Sequence, residues 1–202
     1  GITNLEDAQL AVKLGADMVG FVFAKSPRKV TQEKAWAILK KLPKSVKKCA
    51  VFVNEEEGVV KNIQKKLRFD FLQFHGSESP AYCDTFKGVA KIIKAFRLED
   101  MDTIKNALAY DADIYLFDAF VKGAYGGTGK LINLNLAKKL TALIKKPIMI
   151  SGGLNGMNVL KIIKQLKPYA VDVSSGVERS PGKKDAGLLK EFVEKVRVSL
   201  IQ

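Results

Sequence analysis

Two serine–glycine turns, Ser151-Gly152-Gly153 and Ser174-Ser175-Gly176, each follow a short apolar run. Glycine lets backbone N–H groups approach an anion closely and the serine hydroxyls add donors, so two such turns side by side suit a phosphate group. Taken singly, each turn is equally well explained as a joint between strand and helix. Asp118 ends the apolar run "IYLFD". A carboxylate at the end of a strand is placed for proton transfer, although it can also serve only to cap the next helix. Arg28 lies in "AKSPRKV", where its planar fork would match a substrate carboxylate and where a solvated loop arginine is the plainer alternative. His75 ends "FLQFH" and is the only histidine. It can act as a base, or simply line a pocket and donate a hydrogen bond. Asp172, inside "AVDVSS", is expected to point inward, where an unpaired carboxylate is costly and needs a partner or a ligand.

The stretch "VKGAYGGTGK" after Asp118 is neither a Walker A loop, because Lys130 is followed by Leu131, nor a G-x-G-x-x-G turn. It reads as a lid over the site. Cys49 and Cys83 are too few for a disulfide framework or a metal-ligand pattern, so no metal site is expected, and a reducing cytoplasm fits best.

Positioning such residues takes a rigid frame. The chain has 202 residues, 47% of them hydrophobic and 27% charged, the composition of one folded domain spanning 1–202. No run approaches the roughly 20 apolar residues of a membrane span. The formal charge of +13 comes from lysine pairs such as Lys40-Lys41, Lys65-Lys66 and Lys138-Lys139, scattered along helical segments. No aromatic stacking platform accompanies them, so the charge suits an anionic small molecule better than a nucleic acid or a membrane.

Short apolar runs alternate with longer amphipathic ones, the pattern of repeated βα units. Seven strands are predicted, in "DMVGFVF", "CAVFV", "FLQFHG", "AKIIKAF", "IYLFDAF", "PIMISGG" and "AVDVSSG". Helices are predicted near 32–42, 58–67, 80–86, 98–109, 134–144, 156–166 and 185–200, after an opening helix over 4–14 capped by Thr3 with Glu6 in a capping-box spacing. An open doubly wound sheet would carry a glycine-rich turn after its first strand, and "FVFAKSPRKV" is not one. Glycine loops after the last strands instead favour a closed (β/α)8 barrel, which commonly holds phosphate there. Eight helices against seven strands leave the first strand of that barrel absent from the sequence, with its place directly before Gly1.

In this order, "GITNLEDA", "GADMVGFVF", "SPRKV", "VFVN", "QFHG", "FDAF" with "YGGTGK", "ISGGLN" and "VDVSSGVE" with "PGKKD" resemble the phosphoribosylanthranilate isomerases of tryptophan biosynthesis across nearly the whole chain. The resemblance implies a (β/α)8 barrel and a cofactor-free Amadori rearrangement of N-(5'-phosphoribosyl)anthranilate, an intramolecular aldose–ketose isomerisation. It assigns Asp118 as general acid and Arg28 to the anthranilate carboxylate. His75 is placed among the substrate-binding residues, and Asp172 near the sugar hydroxyls. The phosphate cradle would comprise Gly127, Ser151, Gly152, Gly153, Ser174, Ser175 and Gly176. The implied general base is a cysteine at the end of the first strand, immediately before Gly1, a place that neither Cys49 nor Cys83 occupies. A monomer or a homodimer acting on a phosphorylated small molecule is expected. The sugar isomerase of histidine biosynthesis performs a related Amadori reaction, but its twofold repeat of phosphate loops has no counterpart in the first half of this chain. A non-catalytic phosphosugar-binding barrel is the alternative of another class.

Overall fold

The computed structural model describes residues 1–119 and 133–199. The glycine-rich stretch that includes Gly127 lies outside the described residues, and with it the expected lid.

Helix α1 (Leu5–Leu14) starts one residue later than the capping-box spacing predicts. Asn4, not Thr3, accepts from the Asp7 backbone N–H and donates its amide to the Asp7 carboxylate. The reason is tertiary: the Thr3 hydroxyl is drawn away to donate to the Gly182 carbonyl. Gly15, at φ 103°, ends the helix by returning its N–H to Ala11 and Val12.

Seven strands follow: β1 (Met18–Val22), β2 (Lys47–Phe52), β3 (Phe71–Phe74), β4 (Lys91–Leu98), β5 (Ile114–Ala119), β6 (Ile148–Ile150) and β7 (Ala170–Val171). They form one parallel sheet in the order β1 to β7, so each strand pairs with its sequence neighbour. Between and after them lie α2 (Gln32–Leu39), α3 (Glu57–Leu67), α4 (Pro80–Asp84), α5 (Met101–Ala107), α6 (Leu134–Leu143), α7 (Val159–Leu166) and α8 (Ala186–Ser199). Leu98, predicted to open a helix, is instead the last residue of β4; Asp100 accepts from the Thr103 N–H and starts α5 beyond it. A short antiparallel hairpin, β8 (Glu178–Ser180) with β9 (Lys183–Lys184), was not predicted at all. Among the described residues no helix is long and apolar enough to cross a membrane.

Strand alternation divides the apolar residues between two clusters. Phe52, Leu72, Phe74, Phe117 and Ile150 face outward and pack with the helices in the larger one. Cys49, Phe71, Ile93, Ala95, Ile114, Leu116 and Met149 face inward and fill the concave side of the sheet. Continuing the inward parity two residues beyond this plug leads to Arg97, Asp118 and Ser151, and from Ala170, packed against it, to Asp172; from Phe71 the same parity runs through Gln73 to His75. The sheet thus curls into a barrel-like frame whose C-terminal ends gather the candidate chemistry on one rim.

The two ends of the sheet are drawn together by their loops. Arg28, after β1, forms an ion pair with Glu178, after β7, at 2.6 Å. The Lys184 backbone N–H donates to the Asp7 carboxylate at 2.9 Å, which ties the hairpin to α1. The backbone N–H groups of Gly1 and Ile2 both donate to the Gly20 carbonyl in β1.

Candidate active site

Asp118 sits at the end of β5 and is 3% exposed. Parallel register places it beside Arg97 of β4. His75 lies one residue beyond β3, and its Nε2 is 3.4 Å from Asp118 Oδ2. The other ring nitrogen, Nδ1, is 2.8 Å from the side-chain amide nitrogen of Gln73, two residues back on the same face. The amide donates, so Nδ1 is the acceptor of that bond, and the buried Nε2 has no hydrogen-bond partner among the described residues.

The backbone at His75 is fixed from behind. Lys94, 1% exposed, donates to the carbonyls of Phe74 and Gly76 on either side of His75 and to the carboxylate of Glu78 at 3.0 Å. Glu78 in turn accepts from the backbone N–H groups of Asn54 and Gly76. A fully buried pair is tolerable because each charge has several partners.

Arg28 is not a solvated loop side chain. Its Nε donates to Glu178 Oε1 at 2.9 Å and its Nη2 to Oε2 at 2.6 Å, a two-bond fork. Lys184 reaches the same carboxylate at 2.9 Å and also donates to the Ser174 carbonyl. Burial works to raise the Glu178 carboxyl, but the hydrogen bonds and charges of Arg28 and Lys184 outweigh it and hold the group below the usual range.

The two serine–glycine turns meet at the end of the sheet. Ser151 is buried, and Gly152 and Gly153 adopt φ of 89° and 65°, a conformation that favours glycine. Asn158 holds the turn by donating to the Gly153 carbonyl. Gly176 has a different requirement: a Cβ there would lie 1.8 Å from the Leu154 carbonyl oxygen, so only glycine lets the turn after β7 close on the turn after β6. The Ser174 hydroxyl is buried and has no hydrogen-bond partner among the described residues. Ser175 opens the short 3-10 turn Ser175–Val177.

Asp172 departs from the expectation of an inward, costly carboxylate. It lies just past β7 with its N–H bonded to the Ile150 carbonyl, and it is exposed, so no burial penalty forces a partner on it. Cys49 is part of the buried plug, where burial first and the Asp172 charge second push its thiol far up. The Cys83 thiol, buried in the outer cluster, is pushed up to about 11, chiefly by burial. Neither is a thiolate near neutral pH. Among the described residues no group of three or more His, Cys, Asp or Glu converges as a metal site.

Glu178, Lys184 and Gln73 were missed in the sequence. The first two sit on either side of a Pro181-Gly182 turn in "VERSPGKK", a hairpin signal that the neighbouring glycine loop obscured. Gln73 carried the same parity as His75 and gave no further sign.

A family model described as N-(5'phosphoribosyl)anthranilate (PRA) isomerase matches residues 1–195. A protein of that name from Pelobacter propionicus is 43% identical over 194 residues, covering 96% of this chain and 91% of its own length. The crystal structure of phosphoribosyl anthranilate isomerase from Thermotoga maritima superposes with a TM-score of 0.91 at 37% identity, covering 98% of this chain and 96% of that one. A further structure, of such an isomerase in complex with reduced 1-(o-carboxyphenylamino)-1-deoxyribulose 5-phosphate, gives 0.87 at 36% identity, covering 98% and 95%.

Proposed function

The chain belongs to the N-(5'-phosphoribosyl)anthranilate isomerase family, and from that premise we propose how its own residues carry out the Amadori rearrangement of N-(5'-phosphoribosyl)anthranilate to 1-(2-carboxyphenylamino)-1-deoxyribulose 5-phosphate. Asp118 gives a proton to the furanose ring oxygen as the C1'–O bond breaks and the anthranilate nitrogen forms a C=N bond. His75 Nε2 lies 3.4 Å from that carboxylate. A thiolate then takes the C2' proton, the electron pair moves into the C1'–C2' bond as the C=N electrons return to nitrogen, and the enolamine tautomerises to the ketone. No external oxidant or reductant is needed, since the aldose carbon is reduced as its neighbour is oxidised.

The thiolate belongs to a cysteine immediately before Gly1. Gly1 hydrogen-bonds β1 at Gly20, and a Cβ on it would lie 2.8 Å from the Ser174 hydroxyl and 2.7 Å from Arg28 Cδ, so the chain reaches the rim beside these groups at Gly1. Nearby Arg28 and Lys184 would favour its ionised form. Arg28 receives the anthranilate carboxylate and Asp172 the sugar hydroxyls. The phosphate rests on Gly127, Ser151, Gly152, Gly153, Ser174, Ser175 and Gly176. Residues 1–202 form one (β/α)8 unit together with the strand that ends in the cysteine, working as a monomer or homodimer. The free thiols Cys49 and Cys83 fit a reducing cytoplasm.

The observation that carries this reading is the sharing of one rim by the buried Asp118 and the close-packed turns around Ser151 and Ser174. Full-length protein supplied with N-(5'-phosphoribosyl)anthranilate should abolish its anthranilate-type fluorescence with saturable kinetics. Unchanged fluorescence, with the substrate recovered intact, would overturn the reading.

A further inference from the structure

The unpredicted hairpin places two charged side chains, Glu178 and Lys184, against Arg28. Both are almost wholly buried, with side chains 3% and 5% exposed, and the Arg28 side chain is 15% exposed. A guanidinium has two edges that can fork onto a carboxylate. Glu178 occupies the Nε/Nη2 edge with contacts of 2.9 and 2.6 Å. A second carboxylate can therefore be met by two parallel bonds only on the Nη1/Nη2 edge, and the plane of that edge is already set.

The charges count in the same direction. Two cations meet one carboxylate in the hairpin contact, so Glu178 alone does not balance them and Arg28 can still attract an incoming carboxylate. Lys184 extends the cluster to the Ser174 carbonyl at 3.2 Å, within the turn assigned to phosphate, so the hairpin links the two anion subsites.

We propose, on the reading that Arg28 meets the aryl carboxylate, that Glu178, held by Lys184, is a positioning residue that fixes the Arg28 plane and thereby sets the enzyme's preference for an ortho-carboxylated arylamine over the same amine without the carboxylate. Glu178 touches no reacting atom in this role. It acts by spending one edge of Arg28 so that the other has a single orientation; a 1 Å error in such a contact can cost about a hundredfold in rate.

The test compares kcat/KM for N-(5'-phosphoribosyl)anthranilate with kcat/KM for the carboxylate-free N-(5'-phosphoribosyl)aniline, in full-length wild type, Glu178→Gln, Glu178→Asp, Arg28→Gln and the double variant Arg28→Gln/Glu178→Gln. Wild type should prefer the carboxylated substrate, and Arg28→Gln should lose that preference. Glu178→Gln should lose at least about tenfold of it, through KM more than kcat. Glu178→Asp, which keeps the charge on a shorter stem, should fall between. The double variant should be no worse in preference than Arg28→Gln alone, because the two residues act through one contact. If Glu178→Gln does not fold, the Glu178→Asp comparison decides. Loss of preference in Arg28→Gln but full preference in the Glu178 variants would overturn the proposal. Full preference in Arg28→Gln would instead overturn the assignment of Arg28 to the carboxylate, and the proposal with it.

Discussion

At the level of single residues, the proposed acid, Asp118, and the two internal cysteines, which the proposed mechanism does not use, can be told apart by substitution. A carboxylic acid can deliver a proton and a carboxamide cannot, while the two have nearly the same shape. Asp118→Asn should therefore keep the fold and lower kcat at least about 10²-fold, read from the decay of substrate fluorescence. Wild-type turnover in that variant would move the acid elsewhere on the rim. The base assignment has a matching test. Full-length protein with alanine in place of the cysteine proposed before Gly1 should be inactive, whereas Cys49→Ala and Cys83→Ala should both turn over substrate. Burial keeps these two thiols protonated, with Cys83 held up at about 11. Iodoacetamide at pH 7 should accordingly leave both unmodified in the native protein and alkylate both in guanidinium, as mapped by peptide mass. Rapid native labelling of Cys49 would show that the barrel plug opens.

At the scale of elements, most of the frame was legible because one rule governs it. Parallel strands buried on both faces read as continuous apolar runs, and the ends of those runs mark the rim, so Asp118 and Ser151 could be placed there from sequence. Asp172, read as inside its run, was expected to point inward, but its exposure was hidden because the run does not show how far β7 extends; it ends at Val171. The hairpin was illegible for another reason. Its two strands have three and two residues and carry charge rather than alternating apolar residues, and their partners Thr3, Asp7 and Arg28 are more than 100 positions away. Long-range ion pairing leaves no local period to read. The glycine turns stand between these cases, visible as turns but with their reasons hidden. Gly176 is there for close approach to Leu154, not for its own backbone angle. Gly176→Ala must therefore push the turn after β7 away from the turn after β6. Overpacking of this kind costs roughly 1–3 kcal/mol, which should appear as a lowered urea midpoint together with a raised KM for the phosphorylated substrate. An unchanged KM would separate Gly176 from the phosphate site.

Across the whole molecule, the ion pairs that join the first and last strands make closure of the ring sensitive to acid. The chain already carries a formal charge of +13, and protonating carboxylates adds to its self-repulsion. Glu178 is the carboxylate to watch, because it pairs with Arg28 across that junction and with Lys184 inside its own hairpin. Its pKa in the folded protein lies below the unfolded value of about 4.5. A depressed carboxylate binds fewer protons folded than unfolded, so its stabilisation is complete above the unfolded value and is lost as the pH falls through the folded one. Asp111, bridging Lys87 and Lys146 at the opposite end of the sheet, is lowered to about 2 by hydrogen bonds from those lysines; its contribution has the same sign and fades between about 3.8 and 2. Urea unfolding of wild type at pH 7, 5, 4 and 3 should show little change down to about pH 5 and a progressive loss below it. In Glu178→Gln the loss below pH 5 should be shallower, because the amide has no proton to gain, while Asp111→Asn should alter the profile below about pH 3.8. Parallel profiles for wild type and Glu178→Gln would mean that the acid response comes from general charge repulsion and not from the junction between the two ends of the sheet.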